Sequence, residues 1–422
     1  MQRIDYQIEL AMSLGRFLWS YFFEAAAFFA ALLVFAYRAT TWDFIVGVGL
    51  IFLLLRILRR TTKRTINHDR KAVFITGCDT GFGYHLAERL ATKTFKVFAG
   101  CLLIDGEGSK KLGAHESNRI QILPLDVTRD DSVQAALEFV QQNLDETELW
   151  GLVNNAGIYA HGEVELSIID AFKKCAEVNL YGLIRVTKAF LPLIRKSKGR
   201  IVNMSSSSGL HSWPCSSPYN TSKYGVESVS DSLRAEMRRF DVKVILIEPA
   251  MFGGNTGIHN ESNGRRYMQE IEEFWKTAST DVKQTYTKSY MLRQVKLILE
   301  LRGKFAAKST KPVIDAMEDG LTNTTPKFRY LVHGGPWPID PIAVFAKVFP
   351  FVPEFLMDWI ICRITMLNKL PSESIPKDER EVDQEQNLRA NQQNLRNRSA
   401  EVNNVAFPYS SVLQEENKRK PH

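Results

Sequence analysis

The sequence predicts an α/β fold, a doubly wound parallel sheet, on three observations. Short apolar β-rich runs alternate with helix-like segments over residues 71–250. The strand runs are continuously apolar rather than alternating, as expected when helices cover both sheet faces. A glycine-rich turn joins the first strand to the first helix. The strand readings are "KAVFITG" (71–77), "FKVFAGCL" (95–102), "IQILPLDV" (120–127), "LWGLVNNAG" (149–157), "GRIVNMSS" (199–206) and "VKVILIEPA" (242–250). "YHLAERLATK" and "DDSVQAALEFVQQNL" between them carry helical spacing.

The 422 residues are 45% hydrophobic and 24% charged, an ordinary globular composition with ample apolar material for a core. Net charge is +7, but no basic tract is interleaved with aromatics, which argues against a nucleic-acid partner. The five cysteines form no C-x-x-C, and the eight histidines form no H-E-x-x-H, so neither a disulfide framework nor a metal site is expected.

Residues 1–65 read as a membrane anchor. "FLWSYFFEAAAFFAALLVFAY" (17–37) is apolar except for Glu24, and "FIVGVGLIFLLL" follows from residue 44, extending to 58 if Arg56 snorkels. The basic "RILRRTTKR" (56–64) favours an N-terminal membrane hairpin with both ends on the cytosolic side. One span plus a surface-lying segment is the second choice. The endoplasmic reticulum is favoured over the mitochondrion, because Asp5 and Glu9 interrupt any presequence. Residues 66–335 form the expected catalytic domain. The apolar, proline-broken 336–370 is either a packing segment or an interfacial membrane contact, and 371–422 is a polar tail expected to be disordered.

Chemistry concentrates in "SPYNTSKYGVES", where Tyr219 and Lys223 stand four residues apart. An isolated pair of this kind is ordinarily helix surface. On one helix face, however, an ammonium beside a phenol favours the phenolate, and the phenol can then exchange a proton at neutral pH. Ser206, ending a strand, can donate a hydrogen bond to a substrate oxygen. In "TGCDTGFG", Thr76, Gly77, Gly81 and Gly83 would let the backbone approach a pyrophosphate at the N-terminus of the next helix. This makes the predicted sheet Rossmann-type.

These motifs, with "NNAG" (154–157) and "VNLYG", occur in the order and spacing of the short-chain dehydrogenase/reductase family, which the chain resembles over roughly residues 71–367. The phrases "FITGCDTGFG", "AEVNLYGLIRVTKAFLPLIRKSKGRIVNMSS" and "PVIDAMEDGLTNTTPKFRYLVH" resemble the subgroup of D-3-hydroxybutyrate, retinol and hydroxysteroid dehydrogenases. The resemblance implies an oxidoreductase acting on a hydroxyl/keto pair with NAD. Tyr219 would be its general acid/base, Lys223 would tune that base and bind the cofactor ribose, and Ser206 would orient the substrate. Asn179 would hold a relay water. Thr76, Gly77, Gly81, Phe82, Gly83, Asp126, Val127, Asn155, Ala156, Gly157 and Pro249 would line the cofactor together with Tyr219 and Lys223. It also implies a small-molecule substrate, and it leaves room for a homo-oligomer.

Some features depart from the family pattern. Pro249-Ala250 stands where Pro-Gly is usual. Between Ser206 and Tyr219 only His211 could carry a positive charge, whereas a small carboxylate substrate wants a cationic clamp. Arg265, Arg266 and Lys276 lie further on as candidates. At the end of the second strand, Cys101 and Leu102 occupy the place of a ribose-binding acid, with Asp105 beyond. No Arg or Lys is near, which favours NAD and leaves NADP open. "NMS" (Asn203) and "NTS" (Asn220) match the glycosylation pattern inside the catalytic segment and read as chance matches. The substrate is expected to be 3-hydroxybutyrate or a lipophilic steroid or retinoid alcohol. A catalytically silent membrane scaffold on the same fold is the alternative.

Overall fold

The six apolar runs do pair, all in parallel, and a seventh strand joins them. A computed structural model describes residues 46–54, 65–252, 256, 261–334 and 340–365. The strands are β1 (Lys71–Thr76), β2 (Lys96–Cys101), β3 (Ile120–Pro124), β4 (Glu148–Asn154), β5 (Arg200–Met204), β6 (Lys243–Pro249) and β7 (Arg329–Val332). Their order in the sheet is β3-β2-β1-β4-β5-β6-β7. The helices are α1 (Gly81–Ala91), α2 (Glu107–Gly113), α3 (Asp130–Gln142), α4 (Ile169–Ala176), α5 (Leu183–Lys196), α6 (Ser217–Met237), α7 (Glu261–Thr277), α8 (Thr280–Thr285), α9 (Lys288–Phe305), α10 (Lys311–Thr322), α11 (Pro341–Val348) and α12 (Glu354–Thr365). A π-helical turn, Glu177–Gly182, links α4 to α5.

The central strands are buried along nearly their whole length, which is why they are apolar at consecutive positions. On one face Phe74 of β1 stacks on Phe190 of α5, ring centroids 4.4 Å apart, within a core that also holds Phe98, Leu152, Ile201 and Val244. A separate apolar cluster joins α7 to α9 through Tyr267, Ile271, Tyr290, Met291 and Val295, and it reaches Tyr159 and Tyr219.

Strand order reverses between β1, which leads out to β2, and β4, which leads out to β5. The carboxyl ends of β1 and β4 therefore open a crevice, the usual ligand position in such sheets. Gly77 after β1 and Asn155 after β4 meet there.

The chain divides into a small unit, Met1–Ile66 plus Asn323–Thr325, and a large one, Asn67–Thr322 with Pro326 onward. In the small unit residues 46–54 are helical, with Leu50, Phe52 and Leu53 exposed, and Thr65 bridges Asn323 antiparallel. Among the described residues no helix is long and apolar enough to cross a membrane. The run 17–37, most of 44–58 and the tail 371–422 lie outside the described residues. Within 336–370, the described part folds as α11, a short 3-10 turn and α12.

Candidate active site

The turn after β1 is built by contacts a side chain would block. Gly77 has φ +70°, and a Cβ there would lie 2.8 Å from Ala156 Cα. A Cβ on Gly83 would lie 2.4 Å from the Gly77 carbonyl oxygen and 2.6 Å from Asn155 Nδ2. Asn155 donates from Nδ2 to the carbonyls of Thr76 (2.9 Å) and Gly77 (3.0 Å). The Thr76 hydroxyl accepts from the amides of Asn155 and Ala156, both at 3.0 Å. Thr76 and Gly83 thus shape the crevice from behind, while Gly77, Gly81, Phe82, Asn155, Ala156 and Gly157 line it. Helix α1 begins here with no side-chain cap from Thr80 and no acid in its first turn. Its first amides carry a partial positive charge and suit a phosphate.

The crevice continues into a cavity of about 860 Å³, lined also by Asp126, Val127, Ser206, Tyr219, Lys223 and Pro249. Asp126 caps its own turn, accepting from the amide and hydroxyl of Thr128 at 2.9 and 2.7 Å. One acid went unread in the sequence. Asp79, a spacer in the glycine motif, lines the cavity and accepts from the amides of Leu102 (3.0 Å) and Leu103 (2.7 Å) just past β2. Its carboxylate occupies the neighbourhood where the sequence offered only Cys101, Leu102 and Asp105.

Helix α6 carries the Tyr219/Lys223 pair. Pro218 presets its first turn. Ser216 leaves the helix uncapped, and its hydroxyl instead meets the Tyr159 hydroxyl at 2.6 Å. Lys223 is buried, donates to the Met204 carbonyl at 2.8 Å, and holds Nζ 5.6 Å from the Tyr219 ring centre. Desolvation lowers its pKa to about 8, against the charges of Cys175 and Glu227. Ser206 lies two residues past β5 and caps the 3-10 turn Ser207–Gly209, with its hydroxyl 3.5 Å from the Pro249 carbonyl and accepting from the Ser208 amide at 3.2 Å. The Tyr159 ring packs 5.0 Å from Tyr219.

Asn179 is buried in the π-helical turn and does not line the cavity. Its Oδ1 accepts from the Ile158 amide at 2.8 Å, and its Nδ2 reaches the Ile158 carbonyl and the Ser222 hydroxyl, both at 2.9 Å. It braces the segment after β4 against α6.

His211 is corrected as a source of charge. It is fully buried among Trp213, Phe345 and Phe349, neither ring nitrogen has a hydrogen-bond partner, and burial lowers its pKa to about 4. It is therefore neutral at pH 7. Of the later candidates, Arg266 lines the cavity, whereas Arg265 and Lys276 are exposed and do not. Asn203 and Asn220 are buried, so the folded chain offers neither glycosylation sequence to solvent. Trp213 and Gln294, with Ile342 and Phe345 of α11 and Ile364 of α12, complete the walls.

The description "short chain dehydrogenase" matches residues 71–266. The chain is 43% identical to the mitochondrial D-beta-hydroxybutyrate dehydrogenase of Bos taurus over 278 residues, which are 64% of this chain and 80% of that one. It is 38% identical to retinol dehydrogenase 7 of Mus musculus over 318 residues, covering 75% and 95%. It is 35% identical to 17-beta-hydroxysteroid dehydrogenase type 6 of Bos taurus over 325 residues, covering 76% and 97%. In fold it is similar to a short chain dehydrogenase/reductase of Burkholderia phymatum solved with NAD, with TM-score 0.53 and 23% identity over 67% of this chain and 93% of that one. The chain belongs to the short chain dehydrogenase family and is a dehydrogenase of alcohols or ketones.

Proposed function

We propose that the protein is an NAD-dependent oxidoreductase that interconverts a hydroxyl and a carbonyl, with its chemistry at Tyr219. The observation that carries this reading is that Tyr219, Lys223 and Ser206 share the cavity that the glycine turn opens into, with the Lys223 ammonium buried beside the Tyr219 ring. In oxidation Tyr219 takes the hydroxyl proton, the Lys223 charge favours the phenolate that accepts it, and the Ser206 hydroxyl holds the substrate oxygen. The nicotinamide, when bound, takes up or returns the hydride. Gly77, Gly81, Phe82, Asn155, Ala156 and Gly157 would hold the cofactor at the crevice, its phosphates at the N-terminus of α1. Asp79 would meet the adenosine ribose and disfavour an added phosphate there, which supports NAD over NADP. Asn179 acts by positioning the Ile158 segment.

The relatives' names cover hydroxybutyrate, retinol and 17-beta-hydroxysteroids, and we take the substrate from that range. Membrane attachment through 17–37 and 44–58, with residues 66–335 facing the cytosol from the endoplasmic reticulum, remains our reading of residues 1–65. Exposed Phe351, Phe355 and Trp359 beside the cavity-lining Phe345 and Ile364 support a membrane contact near the mouth. The silent-scaffold alternative loses ground because Tyr219, Lys223 and Ser206 line one cavity.

Replacing Tyr219 by Phe is the test. Y219F is expected to lose turnover by at least about a thousandfold while NAD still quenches its tryptophan fluorescence as in the wild type. Retained turnover would refute the assignment.

A further inference from the structure

We propose that Arg266 is an anion clamp at the substrate end of the cavity, and that the substrate is a hydroxy or keto acid with an apolar body rather than a neutral alcohol. The proposal rests on the oxidoreductase reading above. Among the described residues that line the cavity, the only cations are Lys223 and Arg266. Lys223 is committed to the Met204 carbonyl and to Tyr219.

Arg266 is held but not saturated. Its Nη2 donates to the Tyr159 carbonyl at 2.9 Å, and its guanidinium lies 5.2 Å from the Tyr267 ring centre. Its Nε faces Glu270 at 3.5 Å without forming a hydrogen bond. Its Nη1 donates to no described residue. Glu270 is the ion-pair partner on that side only; burial raises its pKa, against the charges of Arg266 and then Lys174, and the Nη1 edge of the guanidinium is left to the cavity. The other nearby carboxyl, Glu163, is turned to Tyr290 (2.8 Å) and Cys215 (3.7 Å), and burial raises it as well. Buried Gln294 accepts from Cys215 at 3.9 Å through Oε1, and its Nε2 also lacks an acceptor among described residues. The wall thus offers one cationic and one neutral donor, Arg266 Nη1 and Gln294 Nε2, that no described residue accepts from.

Their placement suits a substrate carboxylate. Arg266 grips the backbone carbonyl of Tyr159, whose ring packs 5.0 Å from that of Tyr219, so the clamp and the proton-transfer residue are joined through one residue of the cavity wall. A carboxylate gives a guanidinium two charge-assisted hydrogen bonds. A neutral alcohol would bring the guanidinium no charged acceptor beyond Glu270 and the Tyr159 carbonyl. Trp213, Leu297, Ile342, Phe345 and Ile364 supply room and apolar surface for a chain beyond the acid. The carboxylate takes no part in the redox step and only orients the carbinol.

The test follows NAD reduction by the full-length, detergent-solubilised protein. The probes are D-3-hydroxybutyrate, D-3-hydroxydecanoate, the methyl ester of the latter, and retinol and a 17-beta-hydroxysteroid as neutral alcohols. Wild type is expected to favour hydroxydecanoate over its ester by roughly 10- to 100-fold in kcat/KM, the range of a charged hydrogen bond. It is also expected to favour hydroxydecanoate over hydroxybutyrate. Arg266→Gln should collapse the acid-to-ester ratio through the KM of the acid, and Arg266→Lys should restore part of it, with NAD binding retained in both. Equal use of acid and ester by wild type, or an unchanged ratio in Arg266→Gln, overturns the clamp. Turnover of neutral alcohols alone overturns the clamp and leaves the oxidoreductase reading standing. Intact NAD binding with no alcohol oxidised overturns that reading and the clamp together. Should Arg266→Gln not fold, the wild-type ratio and Arg266→Lys still decide.

Discussion

Lys223 sits where its own charge is disfavoured. Its pKa falls from 10.5 to about 8 on burial. The unfolded chain therefore binds that proton up to pH 10.5, while the folded chain releases it near pH 8. Stability on this account rises with pH between those values, and below pH 8 the fold carries the full cost of the buried ammonium, roughly 3 kcal/mol. Lys223→Met should therefore be inactive yet more stable than wild type at pH 7, less whatever the unpaired Met204 carbonyl takes back. The melting-temperature advantage should shrink toward pH 10, and a constant advantage would contradict the burial account. Residues at this scale were legible where chemistry sets spacing. Tyr219 and Lys223 lie one helical turn apart, so sequence alone pairs them. Arg266 was readable only as one of three distant cations, because its place on the wall depends on how α7 packs against the segment after β4. His211 misled because sequence shows a titratable ring and not the aromatic cage that keeps it neutral.

Among the elements, the glycine turn and the six longer strands could be read because each leaves a local pattern, a continuous apolar run or a glycine where a Cβ would collide. Asp79 escaped because the motif treats its position as filler, and its partners, the Leu102 and Leu103 amides, lie beyond another strand. Asp79→Ala should weaken NAD binding by roughly tenfold, about one charge-assisted hydrogen bond, and should narrow the preference for NAD over NADP. Fluorescence titration with both nucleotides reads this without turnover, and an unchanged ratio would remove Asp79 from the ribose site. Strand β7 escaped for a different reason. It has four residues, three of them only partly buried, and begins on an arginine. The apolar stretch 336–370 read as a single piece, whereas its described part folds as two helices with Pro341 opening the first and Pro353 just before the second.

Across the whole molecule, that missed edge strand ties the last part of the chain to the catalytic helix. Arg329 of β7 pairs with Glu227 and, at 2.7 Å, with Asp231 of α6, and at 2.6 Å with Glu248 of β6. Burial, then the charge of Glu227, pushes Glu248 up to about 7 even with Arg329 beside it. Arg329→Met should cost roughly 3–5 kcal/mol, the usual price of leaving buried carboxylates uncompensated. The loss should be smaller at pH 5.5 than at pH 8, since protonation then neutralises Glu248 and its neighbours. Thermal melts at the two pH values check the sign. The segment that matches the family description ends at residue 266, well before Arg329. A shortened chain ending there, whether from alternative splicing or proteolysis, would strip β7 from β6 and bare the Leu246 and Ala250 amides that now bond Phe328 and Val332. Such a fragment would present a hydrophobic strand with open hydrogen-bonding groups to its neighbours, and its fate would be aggregation and clearance rather than life as a smaller enzyme.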